Sequence, residues 1–193
     1  MREEIYEESS SVKNHRAASA KYNTCSTAAF ICYVLAAVWA FHIFMLYDFS
    51  KGELVLNILF AVFPLVFLIG AAILINILKN KFYADFDYAI VSGSIRFSKI
   101  IKNKKRKFIA IFDAKDIDHM GKIGSKTFMN YMKMSDVKKI VLTSNRVPNE
   151  GCDFYYIAVV VKGVRTLFVL ECTKHLLYVI LQYSRKGILD EDL

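Results

Sequence analysis

The sequence predicts an α+β membrane protein: an antiparallel transmembrane helical hairpin, then a curved β-sheet or small barrel of about seven strands capped by a C-terminal helix. Three observations carry this expectation. Residues 27–49 and 54–78 are long apolar runs separated by a very short connection. From residue 83 onward, short apolar runs follow one another, divided by turn residues, and the first of them alternates with polar positions. The last run, after Thr173, returns to helical spacing.

Composition points to two different solvents. Hydrophobic residues make up 55% of the 193, above the usual share for a soluble domain. The excess lies between residues 27 and 78. The net charge is +8. Residues 1–26 balance four basic and four acidic side chains, whereas residues 79–193 hold 21 Lys/Arg against 12 Asp/Glu. A basic domain beside a bilayer points to an anionic partner, lipid head groups or nucleic acid. A solubilising lysine surface accounts for the same numbers equally well. Cys25, Cys32, Cys152 and Cys172 form no CxxC pair, and free thiols are expected.

The first apolar run carries one charge, Asp48, at its end, and the second carries none. Twenty-five residues give about 37 Å of helix, enough to cross roughly 30 Å of hydrocarbon. The first run is too long for a signal-peptide core, and no small-residue cleavage site follows it before the second. Lys13, Arg16 and Lys21 precede the first span, and Lys79 and Lys81 follow the second. The loop at 50–53 offers only Lys51. The positive-inside rule then places both termini in the cytoplasm of a multi-pass plasma-membrane protein. Pro64 removes a backbone donor and is expected to kink the second helix. Gly70, Ala71 and Ala72 form a small-residue patch where another helix can approach. His42 lies inside the first span, where an ionisable group is a functional suspect; an ordinary His bonded to a neighbouring helix is the commoner case.

In the C-terminal part, residues 85–91 alternate, with Phe86, Tyr88 and Ile90 on one face. Ser92-Gly93 is a turn signal before a run at 95–101. A basic turn at 102–106 leads to a run at 108–112. A short strand is expected near 116–120, an irregular connection at 121–136 and another strand at 138–143. Runs at 154–161 and 164–171 flank Lys162-Gly163 as a hairpin, apolar on both faces and therefore covered on both. Thr173 caps a helix whose stripe is Leu176, Leu177, Ile180, Leu181 and Tyr183, with Gly187 as its left-handed stop.

About seven strands and a terminal helix behind a membrane hairpin resemble the bacterial pleckstrin-homology-like (PH-like) domains of membrane proteins. The stretch Asp85-Phe-Asp-Tyr-Ala-Ile-Val-Ser-Gly-Ser-Ile95, with the run ending Lys105-Arg106-Lys107, is similar to an uncharacterised bacterial family. That family joins a two-helix anchor to an aspartate–tyrosine strand, a Gly turn and a Lys/Arg cluster. The resemblance implies a fold and a setting, not a reaction. The expected organisation is a disordered cytoplasmic tail at 1–26, a transmembrane hairpin at 27–78 and a cytoplasmic PH-like domain at 79–193.

The strongest chemical feature is the set Lys99, Lys102, Lys104, Lys105, Arg106 and Lys107, a candidate contact for anionic head groups or a protein partner. Nucleic acid is disfavoured, because the run has no stacking platform or recognition helix. Asp113, Asp116, Asp118 and His119 are the only local acid/His cluster; they lack the EF-hand glycine and terminal glutamate, and an exposed strand face explains them. No catalytic, cofactor or metal motif is present. The leading expectation is a non-enzymatic, membrane-anchored binding or scaffold module. The alternatives are a subunit of an oligomeric transport or channel complex, packing through Gly70–Ala72, and a membrane enzyme using the Asp/His cluster.

Overall fold

The computed structural model describes residues 5–46, 54–102, 104–185 and 187–190. The expected loop at 50–53, with Lys51 and its neighbours Asp48 and Glu53, lies outside them. The chain divides into two compact units: His15–Tyr83, and a unit built from Met1–Asn14 together with Ala84–Leu193.

The first unit is a pair of helices, α1 (His15–Leu46) and α2 (Leu54–Phe82). Each is long and apolar enough to cross a membrane, and only 11% of its most apolar window is buried. A core helix of a soluble protein would be mostly buried; here Phe30, Phe44, Phe63 and Phe67 face outward. The helices run antiparallel. Trp39 Nε1 donates to Ala61 O at 2.9 Å, and Asn76 Nδ2 donates to Tyr33 OH at 3.4 Å. Ala29, Ala36, Ala61 and Ala72 are buried where the two backbones come close, as small residues permit. Both helices are longer than the apolar runs: α1 starts at His15 rather than 27, and α2 ends at Phe82 rather than 78.

Among the described residues, the second unit has eight strands in two four-stranded sheets. The first sheet is antiparallel, in the order β1 (Ile5–Ser10), β2 (Ala84–Val91), β3 (Ser94–Ile101), β4 (Lys105–Asp113). The second runs β5 (Ile117–Lys122), β7 (Asp153–Val161), β8 (Val164–Cys172), β6 (Lys138–Leu142), with β6 parallel to β8. Two hairpin turns follow from sequence. Ser92-Gly93 and Lys162-Gly163 have positive φ at both positions, the two-residue geometry that matches strand twist.

The inner faces meet in one core. Phe97 packs edge-on against Tyr88, Phe112 and Phe168 with centroids 5.1–5.7 Å apart. Tyr88 OH donates to Leu142 O at 2.6 Å, tying the first sheet to β6. Helix α4 (Lys174–Tyr183) buries Leu176, Leu177 and Ile180 against this core, each worth roughly 2 kcal/mol. It ends at Tyr183, before Gly187, so Gly187 adopts its positive φ beyond the helix.

Three expectations are corrected. Residues 121–136 are not an irregular connection, because α3 (Lys126–Lys133) forms there, with Ser125 Oγ accepting from Phe128 N at 3.1 Å. It covers the outer face of the second sheet, where Phe128 and Val137 pack on Tyr156, Ala158 and Leu167. The basic turn is shorter than 102–106, since Lys105 opens β4. Finally, the tail expected to be disordered at 1–26 carries regular structure from residue 5 onward. Strand β1 pairs with β2 along its whole length, and α1 follows at once. The globular domain is therefore discontinuous, and the helical pair is an insertion between two neighbouring strands.

Polar side chains hold β1 in place. Glu8 accepts from Thr173 N at 2.6 Å and Thr173 Oγ1 at 2.9 Å, so it caps α4, where negative charge is favoured. Glu171, 1% exposed, accepts from Ser10 Oγ at 2.9 Å, Asn145 Nδ2 at 2.8 Å, Asn149 N at 2.8 Å and Thr143 Oγ1. Asn145 and Asn149 also donate to Ser11 O. Replacing Glu171 by Ala strands these donors. Loss of such a hub is expected to cost about 3 kcal/mol. In the full-length protein in detergent, hydrogen exchange of the β1 amides should accelerate and the domain should unfold at lower denaturant; unchanged β1 protection would contradict this role.

Candidate functional site

The cationic residues named from sequence lie on the β3–β4 hairpin, and strand alternation divides them. Lys107 stands opposite Lys99, Arg106 opposite Ile100 and Lys105 opposite Ile101. Lys99, Lys105 and Lys107 therefore belong to one face and Arg106 to the other. Arg106 forms an ion pair with Asp87 on β2, and that hydrogen bond and charge push its guanidinium pKa up. Lys99 Nζ lies 5.6 Å from the centroid of the Phe86 ring, within cation–π range. Lys102 sits in the turn with φ 50°, and Lys104 N donates to Ile101 O at 3.0 Å. Lys104, Lys105 and Lys107 are exposed, and their side chains form no hydrogen bond or ion pair among the described residues. The six-residue cluster thus resolves into three solvent-facing lysines at the hairpin end and three residues with local engagements.

The other candidates are dispersed. Ala72 is fully buried within the helical pair, Ala71 is partly exposed, and a side chain built at Gly70 would meet nothing within 4 Å. His42 stacks on Trp39 at 5.5 Å. Asp113 pairs with Lys115 at 3.3 Å; Asp116 lies in a 3-10 turn (Ala114–Asp116); Asp118 and His119 are exposed on β5. Among the described residues, no group of three or more His, Cys, Asp or Glu could hold a metal ion.

His119 instead borders a small polar cluster that was not apparent in the sequence. Asp190 Oδ2 accepts from Ser125 Oγ and from Tyr156 OH, each at 2.6 Å. Its backbone N–H donates to Met120 O at 3.0 Å, and Met120 N donates to Ile188 O at 2.8 Å. The C-terminal segment is thereby fastened along β5. Burial raises the Asp190 pKa, but the hydrogen bonds from Ser125, Tyr156 and Thr127, with the His119 charge, outweigh it and leave the carboxyl below its ordinary value. The only hint in the sequence was Gly121: an added Cβ there would lie 2.7 Å from Asp190 Oδ2 and 2.8 Å from its Cβ.

An α+β domain of two packed sheets capped by a C-terminal helix, carrying an apolar helical pair between its first two strands, is the class these features define. The family model described as Bacterial PH-like domain (DUF6106) matches residues 3–189, and the chain belongs to that family. The matched span takes in β1 and both long helices as well as the globular part. No curated protein and no solved structure matches the chain.

Two outcomes follow for the C-terminal latch. Gly121→Ala should displace residues 188–190, raising proteolytic sensitivity of the C-terminus while the β7–β8 hairpin stays protected. Because the folded Asp190 pKa is depressed, its stabilisation is present above the ordinary carboxylate range near ~3.9 and is lost as pH falls through the lower folded value. The stability difference between wild type and Asp190→Asn, measured by thermal melting, should therefore shrink as pH falls below that range; a difference that grows on acidification would reverse the assignment.

Proposed function

We propose that this protein is a non-enzymatic, membrane-anchored binding or scaffold module. Its helical pair spans the cytoplasmic membrane, and its PH-like domain contacts anionic head groups through Lys104, Lys105 and Lys107. A PH-like domain suggests a binding role, and the observation that carries the membrane part is the insertion of the helical pair between β1 and β2. Two crossings return the chain to the side it left. The pairing of Ser10 with Phe86 and of Ile5 with Val91 requires both ends of the insertion to be on one side. Lys13, Arg16, Lys21, Lys79 and Lys81 flank the apolar runs, which favours the cytoplasmic side.

Only residues 11–14 separate β1 from α1, and only Tyr83 separates α2 from β2. Such short links keep the domain near the bilayer surface at high effective concentration, so individually weak contacts become occupied. Each exposed lysine close to an anionic surface contributes about 1 kcal/mol and loses that contribution beyond a Debye length.

Hydrogen exchange on the full-length protein in lipid nanodiscs tests the reading. Amides of the β3–β4 turn should be better protected in discs containing phosphatidylglycerol than in discs of phosphatidylcholine alone. High salt, or changing Lys104, Lys105 and Lys107 together to Ser, should abolish the difference. Equal exchange in both lipids at low salt would leave these lysines as solvated surface.

A further inference from the structure

The outer faces of the two sheets are treated differently. α3 covers that of the second sheet. Among the described residues, no helix or strand covers that of the first. Small side chains lie among its lining: Ser9 and Ser98 stand on either side of Asp87, and Ala89 stands between Glu7 and Arg96. Larger residues rise around them and enclose a trough of about 610 Å³.

A β-bulge decides what lines the trough. The β3–β4 register shifts between Phe97 and Ser98, so that Phe97 faces Ala110 while Ser98 faces Phe108. Without the extra residue, Phe108 would fall on the same face as Ala110 and Phe112, in the core. With it, Ile109 packs against the core and Phe108 turns outward, 56% exposed, near Ile111 at 42%. Bulges commonly re-aim a side chain in this way.

Charge across the trough is polarised. On β3, Arg96 sits between Ala89 and Ile111. It is exposed and has no hydrogen bond or ion pair among the described residues. Arg106, by contrast, is already engaged by Asp87. Glu7 occupies the opposite wall on β1, across from Ala89.

We propose that this trough docks an acidic, amphipathic segment of a partner protein, with a carboxylate on Arg96 and apolar side chains on Phe108 and Ile111. An arginine fork matches a carboxylate bidentately, and an arginine beside an exposed aromatic is a common anchor of interfaces. The volume suits a few side chains rather than a large domain face. Glu7 repels a second carboxylate on the β1 wall, so the acidic edge of the segment runs along β3–β4. This surface is separate from Lys104, Lys105 and Lys107 and stands whether or not they touch lipid.

The test is selection of random peptides displayed on phage against the full-length protein in nanodiscs, with empty nanodiscs as the counter-screen. Enriched sequences should combine Asp or Glu with aromatic or aliphatic residues. A synthesised member should lose at least about tenfold in affinity for Arg96→Glu and for Phe108→Ser, the scale expected of an interface anchor. It should bind the triple lysine variant as it binds wild type. Both substituted positions are exposed, and unchanged hydrogen exchange in β7 and β8 verifies that each variant is folded. No enrichment over empty discs, enrichment of basic sequences, or affinities indifferent to both substitutions would overturn the proposal.

Discussion

Burying a carboxylate is costly unless the protein replaces the water it loses. Glu171 is deeply buried on β8, and no lysine or arginine among the described residues is paired with it. Its solvation comes from Ser10 on β1 and from Thr143, Asn145 and Asn149 in the loop after β6, two separate stretches of chain. Satisfying that one side chain brings the N-terminal strand, the loop after β6 and the central strand of the second sheet together. Glu8 repeats the device on a smaller scale at the start of α4. The edge strand β1 is thus held by polar contacts where the rest of the domain is held by aromatic packing. Because the long helices leave from β1 and return to β2, the integrity of the whole chain depends on this arrangement.

Those elements whose residues obey one period could be read directly. The β7–β8 hairpin announces itself by two apolar runs around Lys162-Gly163, and α4 by its leucine and isoleucine stripe. The covered outer face of β7 and β8 was also evident from their lack of polar alternation, though not the identity of the cover. β1 was hidden because its inward positions are Tyr6, Glu8 and Ser10, two of them polar, so its sequence looks like a solvated tail. The signal that would have revealed it is non-local: a buried Glu171 with partners 22 residues or more away. α3 was hidden differently. It is short, and only Phe128 is fully buried, yet Ser125 three residues before Phe128 is a legible cap.

The cluster of basic residues shows how far composition can mislead about a site. Six cations within nine positions look like one patch, but a strand sends neighbours to opposite faces. Arg106 goes to Asp87, Lys99 lies over Phe86 and Lys102 takes a left-handed position in the turn, leaving Lys104, Lys105 and Lys107 exposed beside it. Conversely, Arg96 drew no notice in the sequence, because a single arginine in an alternating strand is ordinary. Only the register, with its bulge, places it beside an outward-facing Phe108.

A discontinuous domain also imposes an order on its own biosynthesis. β1 leaves the ribosome first and has nothing to pair with until β2 follows, after the entire helical insertion. Closing a flexible loop of that length has an entropic cost, but two helices packed antiparallel bring their ends together beforehand. The hairpin is therefore a template for the first sheet rather than an appendage to a finished domain. If only one helix crossed a bilayer, β1 and β2 would be separated by it, the hub around Glu171 could not assemble, and the unpaired edge of β2 would be left for proteases to find. With the pair crossing a bilayer as proposed, the architecture couples correct insertion to domain folding, so a mis-threaded chain fails to mature instead of persisting as a folded but misplaced protein.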